Sequence, residues 1–379
     1  MNPETTIPMA RPDVPDFRDL REGFERVLSS GSLTLGAETR RLEARAAARL
    51  GVPECVAVSS CTAGLMLVER CLGLCGEVVT PSLTFFATAH GLLWNGLEPV
   101  FADCDPRGFQ ISPTSVERCL CSRTTAILAV HLYGAPAPAA ELERIASSRG
   151  LRLIFDGAHA LGAQAAGERP LASYGDATVY SLSPTKTVTA GEGGLIALRD
   201  RALAELLRRA RNYGKGEGYD CDVLGLNARL SELQAVLARR GLERLEHGLA
   251  ARRAVAKAYS DVLSGVPGIR LQALRPGELS GVKDFAVVFA SEALRKRAAA
   301  ELAARGVETR NYFDPPLHRQ KIYRRFYRPQ REPLSETVRV SRGVLCLPIY
   351  AGLAPKTAKR IAEHIATSVR CESVLGAVG

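Results

Sequence analysis

Between residues 50 and 200 the chain alternates short apolar runs rich in β-branched residues with longer segments of helical periodicity. This alternation limits the fold more than any other feature. Strands separated by helices lie side by side through crossovers, which produces a parallel sheet covered on both faces. Seven runs qualify as strands, at 55–59, 77–80, 99–102, 126–132, 151–155, 177–181 and 195–198. Several lead into polar or small residues, as at Ser59-Ser60-Cys61-Thr62, Asp156-Gly157-Ala158-His159 and Ser181-Leu182-Ser183. Open α/β sheets hold ligands at these carboxyl ends. A long helical pattern then runs from 228 to about 257, with Gly241 and Gly248 as its weak points, and bridges to a smaller α+β region. That region has an expected strand at 284–290, a helix at 292–305 and an aromatic, proline-rich segment at 311–327. A helix at 17–28 is expected to pack across the domain boundary. The resulting expectation is an α/β chain with a large domain at 1–245, including an N-terminal arm, and a small C-terminal domain at 246–379.

With 379 residues, 46% of them hydrophobic and 24% charged, the chain is long enough for this core and unlike a disordered or collagenous sequence. The net charge of +10 favours anionic ligands such as phosphates. A nucleic-acid partner requires a basic stripe or a known module, and neither is visible. The arginines scatter through helical stretches such as 38–49 and 203–211, where solvated faces are expected. Ten cysteines without a secretory leader or a cysteine-dense module point to a reduced, cytoplasmic setting, with most of them as small core residues. Cys71, Cys75, Cys119 and Cys121 lack zinc-site spacing, so no metal is expected. No apolar run reaches the ~18 residues of a membrane span.

Within the basic residues, only eight of 50 are lysine, and Lys186 is the only one before Lys215. It lies in Ser183-Pro-Thr-Lys186-Thr-Val-Thr-Ala-Gly-Glu-Gly-Gly194, between a buried strand and a glycine-rich turn. Arginine cannot replace a lysine that forms an imine, because guanidinium stays protonated and is a poor nucleophile. An imine lysine suits an aldolase or a pyridoxal phosphate enzyme, and other residues decide between them. Asp156 ends a strand where a carboxylate is costly to bury without a cation, and a pyridinium nitrogen is such a cation. His159, three residues on, is placed to reach the same ring's phenolic oxygen; alternatively, Asp156 is a helix N-cap and His159 a core histidine. Ser60-Cys61-Thr62-Ala63 opens a helix whose free amides suit a phosphate, or are simply capped by serine. Ser181 adds a hydroxyl, and Phe85-Phe86 offers an aromatic face or serves the core.

Taken in order, Ser-Ser-Cys-Thr-Ala, Pro81-Ser-Leu-Thr-Phe85, Val130-His-Leu-Tyr-Gly134, Phe155-Asp-Gly-Ala-His-Ala160, the lysine segment and Leu226-Asn-Ala-Arg-Leu-Ser-Glu-Leu-Gln-Ala235 resemble the nucleotide-sugar aminotransferases of the DegT/DnrJ/StrS family. Pro316-Leu-His318 and Leu347-Pro-Ile-Tyr350 extend the resemblance over nearly the whole chain. It implies a fold-type I aminotransferase with a seven-stranded, mostly parallel sheet, acting as a homodimer with shared active sites. Lys186 would carry pyridoxal 5'-phosphate and shuttle the proton, Asp156 would pair with the ring nitrogen, and His159 would contact the ring oxygen. Phe85 would stack on the ring, while Cys61, Thr62, Ala63 and Ser181 would form the phosphate end. Asn227 is the residue matching the partner-supplied asparagine, and Tyr312 and His318 are candidates for touching the acceptor. Related dehydratases carry histidine at the lysine position, so Lys186 favours transamination.

The implied reaction moves an amino group from glutamate or a similar donor to a nucleoside-diphosphate keto sugar. The Thr189-Ala-Gly-Glu-Gly-Gly194 turn points to a 4-keto-6-deoxy acceptor. A keto-cyclitol acceptor is the related alternative. A pyridoxal-phosphate-binding regulator and a basic nucleic-acid-binding protein are the alternatives without catalysis. Ser181-Leu-Ser183 in place of Ser-Phe-His, and Asp-Gly in place of Asp-Ala at Asp156, depart from the family pattern.

Overall fold

The computed structural model describes residues 6–375. Strands β1 (Glu54–Val58), β2 (Glu77–Pro81), β3 (Glu98–Ala102), β4 (Thr124–Val130), β5 (Arg152–Asp156), β6 (Ala177–Ser181) and β7 (Gly194–Leu198) form one sheet in the order β1-β7-β6-β5-β4-β2-β3. Every expected strand is present, with its ends within two residues of the expected ones. β7 runs antiparallel to both neighbours, and the remaining pairs are parallel. Helices cover both faces, so the strands are buried nearly throughout. On one face the helix Cys61–Cys71 lies so close that a Cβ on Gly64 would stand 2.7 Å from Val179. On the other face, Tyr180 and Leu195 share a core with Val188, Ala235 and Leu242.

The helical pattern at 228–257 resolves into two helices, Glu232–Glu243 and Leu245–Leu263. The first starts later than expected because Ser231 caps it: its hydroxyl accepts the Gln234 amide, and the Gln234 side chain accepts the Ser231 amide. The break falls at Arg244, whose amide turns back to the Gly241 carbonyl. Leu245 and Leu249 belong to the core of the large sheet, whereas Val255, Tyr259 and Leu263 belong to that of a second sheet. This sheet comprises β8 (Ile269–Leu271), β9 (Phe285–Phe289) and β10 (Val344–Leu347) in the antiparallel order β10-β9-β8. Helices Glu292–Ala303 and Pro355–Leu375 complete the small domain.

The N-terminal arm touches both regions. Helix Phe17–Ser30 packs Leu20 and Val27 against Val236, while Ile7 bridges Val307 and the Met9 amide donates to Glu308 at 3.1 Å. The expectation of solvated faces at 38–49 and 203–211 fails at Glu38, Glu43 and Arg211, all buried. Arg211 pairs with Glu43 and donates to the Ala57 carbonyl at 2.7 Å, tying two helices to β1. Buried charges persist only with such partners. Of the nine described cysteine side chains, five are buried and none forms a disulfide. Among the described residues no helix is long and apolar enough to cross a membrane, and no cluster fit for a metal occurs.

Glu69, on the helix Cys61–Cys71, is fully buried; Asn95 Nδ2 donates to its Oε2 at 2.8 Å, and Oε1 has no partner. Burial pushes its carboxyl up to about 8, so the folded state holds a proton that the unfolded state gives up near ~4.3. Its contribution to stability is complete below the unfolded value and lost as pH rises through 8. Glu69→Gln keeps the acceptor for Asn95 without the charge. Its melting temperature should match wild type at pH 4 and exceed it by several degrees at pH 9, as read by calorimetry across pH.

Candidate active site

The carboxyl ends of β1, β4, β5 and β6 meet the start of the antiparallel β7 around a cavity of about 260 Å³. Ser60, Cys61, Thr62, Phe85, Asp156, His159, Ser181 and Lys186 line it, together with Ser183 and Glu192. Seven of the residues singled out in the sequence therefore share one wall system: Cys61, Thr62, Phe85, Asp156, His159, Ser181 and Lys186.

Lys186 is delivered by the hairpin between β6 and β7. Ser181 pairs with Gly194, the Leu182 amide donates to Gly193 at 2.9 Å and the Ala190 amide donates to Leu182 at 2.9 Å. Leu182 and Val188 anchor the loop in the core on either side of the lysine. Burial and the nearby Lys283 cation lower the Lys186 ammonium to about 8, against the opposing pull of Asp284, Cys61 and Asp156. The amine thus loses its proton close to neutrality, as a nucleophile and proton carrier requires.

Asp156, at the end of β5, is 5% exposed. Its Oδ1 accepts the Ala158 amide at 2.9 Å and its Oδ2 the Thr88 hydroxyl at 2.8 Å; the Cys61 thiol lies 3.9 Å from Oδ1. All three partners are neutral, and among the described residues it makes no ion pair. Burial raises its carboxyl, with the Ala158 and Thr88 hydrogen bonds and the Lys186 charge opposing. A carboxylate held by neutral donors at the floor of a cavity is completed by a cation from outside the protein, and a protonated pyridine nitrogen meets that need.

His159 accepts the Tyr133 amide on Nδ1 at 3.2 Å, which leaves the proton of the neutral ring on Nε2. Burial holds it well below the usual histidine range, with the Lys186 charge adding to the effect. Around the start of the helix Cys61–Cys71, a Cβ on Gly194 would stand 2.8 Å from the Cys61 nitrogen, so only glycine lets β7 approach. The amides of Cys61 and Thr62 open this helix, whereas the Ala63 amide donates to Ser60 Oγ at 3.1 Å and Ala63 is not on the cavity wall. The serine-cap alternative thus applies at Ala63. Phe85 and Phe86 are 44% and 41% exposed, their centroids 3.9 Å apart, and neither serves the core.

Besides Ala63, three of the residues chosen from the sequence lie off this wall. Asn227 is exposed, bridged to Asn212 ahead of the helix Glu232–Glu243. Tyr312 lines a separate open cleft with Arg310 and Asn311, and its carbonyl accepts the Tyr133 hydroxyl. His318 is buried. Ser82 Oγ accepts its amide at 3.1 Å and shares a hydrogen bond of 2.7 Å with Nδ1; burial lowers this histidine to about 4. The next residue after Tyr312, Phe313, approaches the site instead, with its ring 6.0 Å from Phe85 and 6.3 Å from His159. Thr88 was also missed; it lies in the first turn of the helix Ala87–Trp94, with its hydroxyl 2.9 Å from that of Thr84 in the preceding loop.

The DegT/DnrJ/EryC1/StrS aminotransferase family description matches residues 17–366. The chain belongs to this family. It is 35% identical over 374 residues to a UDP-N-acetyl-3-dehydro-alpha-D-glucosamine 3-aminotransferase of Acidithiobacillus ferrooxidans, covering 96% of this chain and 98% of the relative. It is 28% identical to a dTDP-4-amino-4,6-dideoxy-D-glucose transaminase of Escherichia coli, covering 95% and 98%. The crystal structure of DesI in the presence of its TDP-sugar product superposes with a TM-score of 0.90 at 35% identity, covering 98% of this chain and 95% of that one. The protein is an aminotransferase of this family, with the fold-type I architecture expected from its motifs.

The lowered Lys186 ammonium has a direct readout. In the full-length protein without added ligand, its labelling by a small amine-directed reagent, followed by peptide mass spectrometry, should rise with pH around a midpoint near 8. Exposed Lys257 serves as the internal reference for the reagent.

Proposed function

We propose that the chain moves an amino group from glutamate, or a similar amino acid, to a keto sugar attached to a nucleoside diphosphate. The observation that carries this reading is the meeting of Lys186, whose ammonium is lowered to about 8, with the cation-free buried carboxylate of Asp156 in one cavity. Pyridoxal phosphate fits this donor set and, when bound, supplies the electron sink for amino transfer. Asp156 would hold the ring nitrogen protonated, and His159 would present its Nε2 proton to the ring oxygen. Phe85 would cover one face, and Thr62, Ser181 and the first amides of the helix Cys61–Cys71 would bind the phosphate. The lysine, once free, takes a proton from the donor's α-carbon and later returns one to the acceptor, the same group serving as base and acid.

Asn227, exposed and away from this chain's cavity, is proposed to complete the cavity of a second copy in a homodimer. Tyr312 is proposed to meet the acceptor, and His318 to hold that segment against Ser82. The net charge of +10 favours a diphosphate-bearing acceptor. The 4-keto position rests on the turn that brings Glu192 to the cavity wall.

The test uses the full-length protein with pyridoxal phosphate. Glutamate should bleach the visible absorbance of the bound cofactor, and a dTDP-4-keto-6-deoxy sugar should restore it faster than a 3-keto analogue or a keto-cyclitol. Lys186→Ala should lose roughly 10²–10⁴-fold in turnover or more. Turnover within tenfold of wild type would overturn the role of Lys186, and restoration by the cyclitol alone would overturn the nucleotide-sugar acceptor.

A further inference from the structure

Two charged residues at the entry to β9, whose charges act on Lys186, are not on the cavity wall. Lys283 and Asp284 are 6% and 5% exposed, with Lys283 Nζ 2.8 Å from Asp284 Oδ1. The other carboxylate oxygen, Oδ2, is buried without a hydrogen-bond partner and lies 3.8 Å from His159 Nδ1. Because that nitrogen already accepts the Tyr133 amide, the contact is not an ion pair, and the bare oxygen simply faces a neutral ring. An unpartnered buried carboxylate oxygen is costly, so something must hold it there.

The backbone does. The Gly281 amide donates to the Gly134 carbonyl at 2.9 Å, and the Asp284 amide donates to the Tyr133 carbonyl at 3.2 Å. Gly134 has φ of 103°, and a Cβ on it would stand 2.8 Å from the Val282 nitrogen and 3.0 Å from the Lys283 nitrogen. The small domain is thereby pinned to the turn that seats His159, which fixes the backbone carrying both charges.

We propose that Lys283 and Asp284 are positioning residues of the amino-transfer site, setting from the small domain the electrostatic environment of Lys186 and His159. This rests on the proposed function only for the name of the site. Lys283 is the strongest charge acting against the Lys186 ammonium and Asp284 the strongest supporting it; at His159 the Lys186 and Lys283 cations act against Asp284. Asp156 and Cys61 also face Lys186, and the buried Arg252 faces Asp284. The nearby Tyr133, Tyr312 and Cys346 are held uncharged by burial. The pair is neutral in sum, so each member masks the effect of the other, and removing either one exposes a single sign beside the lysine.

The experiment repeats the pH-dependent labelling of Lys186 in the full-length protein stripped of cofactor. Asp284→Asn should move the midpoint to lower pH by about one unit and Lys283→Met to higher pH by about as much, each a tenfold change in labelling rate at a fixed pH below the midpoint. Lys283→Arg and the double variant Lys283→Met/Asp284→Asn should stay near wild type. Shifts of the two single variants in the same direction, or of less than about 0.3 unit in proteins that melt as wild type does, would overturn the proposal. Where a neutralising single variant does not fold, the remaining variants decide: a double variant or Lys283→Arg displaced by a full unit is equally fatal. Neither cofactor nor substrate enters the measurement, so its outcome is independent of whether the chain aminates sugars.

Discussion

The cost of burying the Asp156 carboxylate is the constraint around which the site is organised. A carboxylate in a sheet's interior requires compensation, and here the protein provides only an amide, a hydroxyl and a thiol. Those neutral donors orient the group without discharging it, which keeps it available to an incoming cation. The parallel strands make this possible because β1, β5 and β6 end at the same edge, bringing the helix cap at Ser60, the carboxylate at Asp156 and the hydroxyl at Ser181 to one cavity.

The single antiparallel strand serves the same site. A helical crossover after β6 would carry the chain away from the edge, whereas the β6-β7 hairpin keeps Lys186 over it, with Leu182 and Val188 as apolar anchors. The lysine is therefore held in a desolvated position that its free energy alone would not favour. Functional sites commonly accept such destabilisation, supported by the surrounding scaffold. In this chain the support includes the turn at Tyr133, which donates to His159 and is joined to the entry of β9.

Legibility in the sequence followed the range of the interactions. The seven strands were readable because burial on both faces leaves continuous apolar runs, and the polar residues after them marked the ligand edge. Lys186 was readable because its composition stood apart from an arginine-rich chain. The break at Arg244 was not, since it depends on where the end of one helix packs and the next begins, and neither glycine in the pattern marks it. Nor was the choice between Tyr312 and Phe313: both are aromatic, and only the path of the segment between domains decides which ring approaches His159. Arg211 read as a surface residue because its partner, Glu43, lies far away in sequence.

By itself the sequence determined the sheet, its ligand-bearing edge and the candidate nucleophile Lys186, because periodicity and nucleophile chemistry are local properties. The tertiary structure decided the protonation of that residue, the tautomer of His159 and the withdrawal of His318 into a bond with Ser82. Each of these depends on desolvation and on charges brought together from distant segments, such as Lys283 and Asp284 behind Lys186. No local pattern of residues encodes such distances.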